Sequence, residues 1–434
     1  MARKSKLLWE LGKNMEDTKF NSSDELEDLN VNVLNNITIH MKNLTDYRAD
    51  ISYQPLENIV MITFISILGN CNEWHEIYEF ALIHKDWFSK FLDLKYGIPS
   101  VSTIRKTIAS VDPEELETIC VNFIIEKINE LTNLLIPQEN KDSRIEKDII
   151  SYDGKVCCGS RRNNTINGVV SPVNAMTAFN VTKDIPLATK FIAEKTNEIP
   201  TGPELIKLLD LTNTISTFDA LNTQKKTIKA IIEQGGDYVG ALKGNQHNFY
   251  KDVVDYFNDK ILYNKAYENC HYEKSERAHS CTEKRTYIMT EDIKWLETKG
   301  WKEIKSIGIC TREYTVNGEQ KKDTRYFISS LGTDDINDFC RAVRDEWGIE
   351  NNLHWQLDVT FKEDQNKTMI KNAQANLNIL RKLALNILKL VKPLYNKSLK
   401  LIRFRIGQNF EDEINKILLC LNIEDLKCLV NKTQ

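Results

Sequence analysis

The apolar positions of this chain change period near residue 140. Before it they recur at three- and four-residue steps, as in LENIVMITFISILGNCNEWHEIYEFA and PEELETICVNFIIEKINELTNLL, which predicts amphipathic helices. IPQENKDSR, from Ile136, is polar, breaks the pattern and reads as a linker. Beyond it DIISYDG (148–154), NAMTAFNV (174–181) and ATKFIAEK (188–195) predict three successive strands. GPELIKLLDL then predicts a helix, TISTFDA a fourth strand, TQKKTIKAIIEQGG a second helix and DYVGALKG a fifth strand. That order is an α/β arrangement with a mixed sheet. From about 260 to 335 a strand-rich insertion is expected, with KRTYIMT, KEIKSIGICTREYTV and TRYFISSL as its strands. Helical spacing returns in DINDFCRAVRDEWGIENNLHWQL and NAQANLNILRKLALNILKLV, and two short helices close the chain.

Charge refines this picture. The 434 residues are 41% hydrophobic and 28% charged, with a net charge of −4, so a uniformly basic nucleic-acid binder is excluded and attraction to phosphate must come from local clusters. One such cluster runs from Lys362 to Arg405, where eleven Lys or Arg face only Glu363 and Asp364. Its helical spacing also fits a helix packed on the core with lysines reaching outward. The start, MARKSKLLWELGKNMED, lacks the apolar run of a secretion signal, and IVMITFISILG is too short to span a bilayer. A cytoplasmic protein is expected; no C-x-x-C pair occurs among its ten cysteines, which a reducing compartment would keep as thiols. Cys270, His271, His279 and Cys281 cluster in sequence, but not at zinc-finger spacing; thiols and imidazoles in a hairpin insertion are the simpler reading.

Two strands end alike. Asp153 in IISYDGK and Asp219 in TISTFDA stand at the exits of apolar strands, where open α/β sheets place ligand-binding groups. Either alone is as well explained as a cap for the next turn. Together they imply more, because two close carboxylates repel unless a cation or a shared proton intervenes, and Mg²⁺ favours a few carboxylates with water and substrate phosphates. The helix RDEWGIENNLHWQLD offers a third acid: Glu346, Glu350, His354 and Asp358 recur at steps of four along one stripe. In the front part, GIPSVSTIRKTIASV places Ser100, Ser102 and Thr103 as candidate caps before a short helix carrying Arg105 and Lys106. That helix is either a capped surface helix or the second helix of a helix-turn-helix.

DGK, EKTNEIPTGPELIKLLDL, TFDALNTQKKTIKAIIEQGGDYVGALKGNQ, YFISSL and WGIENNLHWQLDVTFKED resemble, in order and spacing, the successive blocks of the H-repeat-associated group of bacterial insertion-sequence transposases, from about residue 42 to about residue 389. The resemblance implies an RNase H-like catalytic domain with a DDE triad, which falls by position on Asp153, Asp219 and Glu350. It also implies two Mg²⁺ or Mn²⁺ ions held by those acids, cleavage of DNA at the element's ends, and strand transfer into target DNA by a homodimer or higher multimer. The protein would be cytoplasmic and nucleoid-associated when bound to DNA, with no membrane partner. On this reading residues 1–140 are a helical DNA-binding domain, 141–365 the catalytic domain, and 366–434 a helical basic region. Ser102, Arg105, Lys106, Lys155, Lys243, Asn245, Gln246 and His354 are the candidate DNA contacts. The chain departs from its relatives at Cys157 and Cys158, where a Leu-Arg pair is common, at AHSC (278–281), and at Glu346 and Leu357, which stand where Arg and Lys flank the catalytic Glu in many DDE relatives. Two other uses of the scaffold stay open: a DNA-binding protein that no longer cuts, and a metal-dependent nuclease that nicks without joining.

Overall fold

The computed structural model of the chain describes residues 33–49, 53–135, 146–157, 162–164, 168–170, 173–192, 197–278, 281–296, 301–316, 319–368 and 370–422. The linker expected at IPQENKDSR lies outside the described residues up to residue 145. Two compact units form, one from Ile145–Lys155 with Asn174–Leu353, the other from Met1–Arg144, Val156–Val173 and His354–Gln434.

The first of these is built on one nine-stranded sheet. Its strands are β1 (Asp148–Val156), β2 (Asn174–Asn180), β3 (Ile185–Ile192), β4 (Thr214–Phe218), β5 (Asp237–Leu242), β6 (His271–Ala278), β7 (Cys281–Thr290), β8 (Ser306–Val316) and β9 (Glu319–Ser329). They lie in the order β3-β2-β1-β4-β5-β9-β8-β7-β6. β1, β4 and β5 are mutually parallel, and β9 joins β5 antiparallel, so the insertion extends the sheet. This is the mixed-sheet, RNase H-like α/β architecture that the sequence predicts.

Alternation along the strands makes two cores. Ile150, Tyr152 and Phe218 pack with Leu205, Ile206, Ile228 and Ile231, the apolar stripes of α1 (Glu198–Ile206) and α2 (Lys225–Glu233). Ile149, Ile215, Val239 and Phe327 face the other way. They pack with Phe339, Ala342 and Val343 of the helix Ile336–Asp345. The central strands β1, β4 and β5 thus bury both faces, as a sheet between helical layers must.

The insertion begins differently from its expected outline. α3 (His247–Asn258) and α4 (Lys260–Asn269) precede the first strand, so helix continues past residue 260. Val253, Tyr256 and Phe257 give α3 a buried stripe, and the Asp259 carboxylate accepts from the Ile261 and Leu262 amides to start α4 anew. β6, rich in charge and poor in apolar residues, was not foreseen; it is held by cross-strand pairing to β7 rather than by an apolar face.

The second unit is helical apart from a two-stranded antiparallel ladder of Arg162–Asn164 with Gly168–Val170. Its long helix Lys371–Tyr395 packs on Leu56–Leu68, Val101–Ser110 and Pro113–Leu135. Part of the basic run turns inward here, contrary to the outward-reaching picture: Arg381, Lys382 and Arg403 are buried. The Arg403 guanidinium donates to the carbonyls of Ile67, Cys71 and Thr360 and to Asn72 Oδ1, so its charge closes a set of loop and helix-end acceptors. No helix among the described residues is long and apolar enough to cross a membrane.

Candidate active site

Strand register fixes the first two acids. Tyr152 on β1 pairs with Phe218 on the parallel β4, so Asp153 and Asp219 are the next residues on neighbouring strands, which run roughly 4.8 Å apart. By alternation both belong with Ile149 and Ile215, the face that packs on the helix Ile336–Asp345. The chain leaving that helix carries Glu346 and Glu350, and Ser151 Oγ anchors it to β1 by donating to the Glu346 carbonyl at 2.8 Å.

Residues Glu350–His354 form a π-helical turn. One extra residue per turn displaces the straight stripe of steps of four, and such turns are common at functional sites. The carboxylates of Asp153 and Glu350 and a ring nitrogen of His354 all lie within 4.8 Å of one another, a group able to hold a metal ion. Glu350 is exposed, Asp153 half-buried and His354 buried. Asp219 stands outside that tight group but close enough to act on Asp153. Burial pushes the Asp153 carboxyl up to about 7; the Gly154 amide opposes this, and the charges of Glu198, Asp219 and Glu350 add to it.

Asp219 also does what the simpler reading assigned to it. Its Oδ1 accepts from the Asn222 amide at 3.0 Å and from Asn222 Nδ2 at 3.1 Å, and its carbonyl accepts from Thr223 Oγ1 at 2.9 Å. Capping the turn fixes the carboxylate's direction. The same loop engages two of the residues expected to touch DNA: Asn245 Nδ2 donates to the Ala220 carbonyl at 2.6 Å, and Gln246 Nε2 to those of Ala220 and Thr223 at 2.9 and 2.8 Å. Both amides brace the loop that carries Asp219.

The remaining expected residues are spread out. Lys155 lies half-buried near the end of β1, two residues past Asp153, and Lys243 is exposed just past β5. Ser102, Arg105 and Lys106 are exposed on the helix Val101–Ser110 of the helical unit, where Ser100, of the three candidate caps, accepts from the Thr103 amide. Glu346 leaves the stripe and pairs with Arg325 of β9. Burial raises its pKa, against the pull of Arg325 and of Lys243. Cys270 Sγ donates to the Thr333 carbonyl and His271 Nδ1 meets the Tyr267 carbonyl; His279 lies outside the described residues. Sequence reading missed Glu198, which reaches Asp153 from the start of α1. Its signal was present in NEIPTGPELI, where Asn197 caps the helix and puts an acid in the first turn, but nothing in that string says which strand tip the helix approaches.

Comparison with known proteins identifies the family. Residues 157–387 match the family described as "Transposase DDE domain", and residues 38–124 match "DDE_Tnp_1-associated". "Putative protein YbfL" and "H repeat-associated putative transposase YhhI", both of Escherichia coli (strain K12), are each 30% identical over 356 residues, covering 80% of this chain and 89% of the relative. A solved piggyBac transposase synaptic complex with hairpin DNA aligns at a TM-score of 0.37 and 11% identity, over 99% of this chain and 80% of that one, a likeness too loose to bear on function. The match over more than half of its length places this chain in the DDE-domain transposase family, within the H repeat-associated group.

Proposed function

We propose that the chain is a DNA transposase that cuts phosphodiester bonds at the ends of an insertion sequence and transfers the freed 3′-hydroxyl ends into target DNA, with Asp153, Asp219 and Glu350 as its acidic triad. The observation that supports this most is the placing of Asp153, Glu350 and His354 within 4.8 Å of one another, while Asp219 and Glu198 add to the negative field on Asp153. Acids crowded in this way repel, and a divalent cation is the partner that relieves them. The donor set fits Mg²⁺ or Mn²⁺: oxygens dominate, with one imidazole at the edge. When bound, such ions supply the positive charge that favours an attacking oxygen and a leaving oxygen in an in-line displacement at phosphorus.

The chain's own residues do the rest. Asp153 and Asp219 present carboxylates from rigid strand tips, and the braced turn after Asp219 keeps that carboxylate from swinging away. Glu350 closes the site from a helix that Ser151 ties to β1. His354, on the same turn as Glu350, is assigned to the cation pocket as well as to the flank of the DNA. Lys155 and Lys243 bring positive charge past two strand ends, where phosphates would lie. Asn245 and Gln246 act through the loop they brace. Ser102, Arg105 and Lys106 are assigned to reading the element's ends, in a dimer or higher multimer on paired ends.

A supercoiled plasmid carrying the element's ends, incubated with Mg²⁺ or Mn²⁺, tests the proposal. Cleavage and joining by the wild type, both lost in Asp219→Ala, are expected. Tight binding without nicking would overturn it in favour of a protein that only occupies DNA, and nicking without joined products in favour of a simple nuclease.

A further inference from the structure

Glu198 is an acid that neither the triad nor the turn requires. It opens α1, which packs on the opposite sheet face from the helix leading to Glu350, yet its carboxylate lies against Gly154 at the tip of β1. A Cβ at residue 154 would overlap the carboxyl carbon and an oxygen of Glu198, so only glycine at this strand tip lets the side chain come so close. Asn222 Nδ2 then joins two acids: it donates to Asp219 Oδ1 at 3.1 Å and to Glu198 Oε2 at 3.4 Å.

Resting on the transposase reading above, we propose that Glu198 is a fourth carboxylate of the cation pocket, which gives a divalent ion a seat beside Asp153 and Asp219, apart from the seat beside Asp153, Glu350 and His354. Charge supports the assignment. Asp153, Glu198, Asp219 and Glu350 together offer up to four negative charges to two divalent ions, before water and substrate phosphates complete their shells. Position supports it too. Asp153 stands between acids contributed from both faces of the sheet, so it is shared by both seats. A first-turn acid that merely favours its own helix dipole has no need of a glycine cleared beneath it or of an amide shared with Asp219.

The test counts bound Mn²⁺ on the full chain, by the electron-spin signal of the free ion during titration. The wild type is expected to bind two ions. Glu198→Gln is expected to keep one and weaken the other at least about tenfold. Gly154→Ala, which keeps Glu198 but pushes its carboxylate aside, is expected to lose the same ion. Circular dichroism checks the fold of each variant, and if Glu198→Gln does not fold, Gly154→Ala decides. Two ions of wild-type affinity in the folded variants would overturn the role of Glu198, and if Asp219→Asn loses an ion in the same experiment the transposase reading survives that failure. A wild type that binds no Mn²⁺ overturns both.

Discussion

Two charged places in the molecule, one buried and one half-buried, are treated in opposite ways. In the helical unit Arg403 is 1% exposed, and its guanidinium meets carbonyls of Ile67, Cys71 and Thr360. In the sheet unit Asp153 is surrounded by Glu198, Asp219 and Glu350, and its carboxyl is pushed up to about 7. A buried charge satisfied from within holds a fold together. A group of like charges set near strand tips raises the pKa of its most buried member. The first arrangement matches donors to acceptors, and the second crowds acids of the kind that suits a divalent cation.

Substitutions at the two places should therefore have opposite signatures. The largest expected effect is on catalysis: Glu350→Gln should lower plasmid nicking by at least about a hundredfold, with DNA binding kept in a gel-shift measurement. Next is Arg403→Met, which leaves several carbonyls without a donor and should lower stability by about 3 kcal/mol, read from the urea midpoint at unchanged m. If that variant were as stable as the wild type, the distinction between the two burials would fail.

A smaller effect concerns pH. A carboxyl whose folded pKa is raised favours the folded state while protonated, and that contribution is lost as pH rises through the folded value. Thermal melts of the metal-free protein should show stability falling between about pH 4 and about pH 7, the span from an ordinary Asp to the folded value of Asp153. Asp153→Asn should flatten that slope, and saturating Mg²⁺ should reverse it, because the ion binds the ionised form. The smallest effect is that of Gln246→Ala, which removes the bonds to the Ala220 and Thr223 carbonyls and should cost about 1 kcal/mol, with a weaker Mn²⁺ affinity through the loosened Asp219 turn.

Sequence and structure agree where the controlling pattern is local. Asp153 and Asp219 end apolar runs of alternating faces, so their neighbouring places on parallel strands could be read from residues 148–153 and 214–219 once the strands were paired. The mixed sheet followed from the same periodicity. What was not legible depends on partners far along the chain. The π-helical turn at Glu350–His354 breaks the period from which the stripe of steps of four was drawn, so Glu346 goes to Arg325 while Glu350 and His354 turn toward Asp153. Arg403 looked like part of a solvated basic run, since its acceptors come from residues 67–72 and 360. Glu198 was hidden because only the folded sheet shows that its helix begins beside Gly154. The charged strand His271–Ala278 had no apolar alternation to betray it; its order comes from pairing with Cys281–Thr290.

The central claim is that side chains at 153, 219 and 350 gather to seat divalent ions. Crystals of the full chain grown with Mn²⁺ and measured near the manganese absorption edge test it most directly. The account expects anomalous density against the Asp153 carboxylate, within coordination distance of Asp219 or Glu350. Density only elsewhere, or these acids paired with lysine or arginine and no manganese beside them, would contradict it.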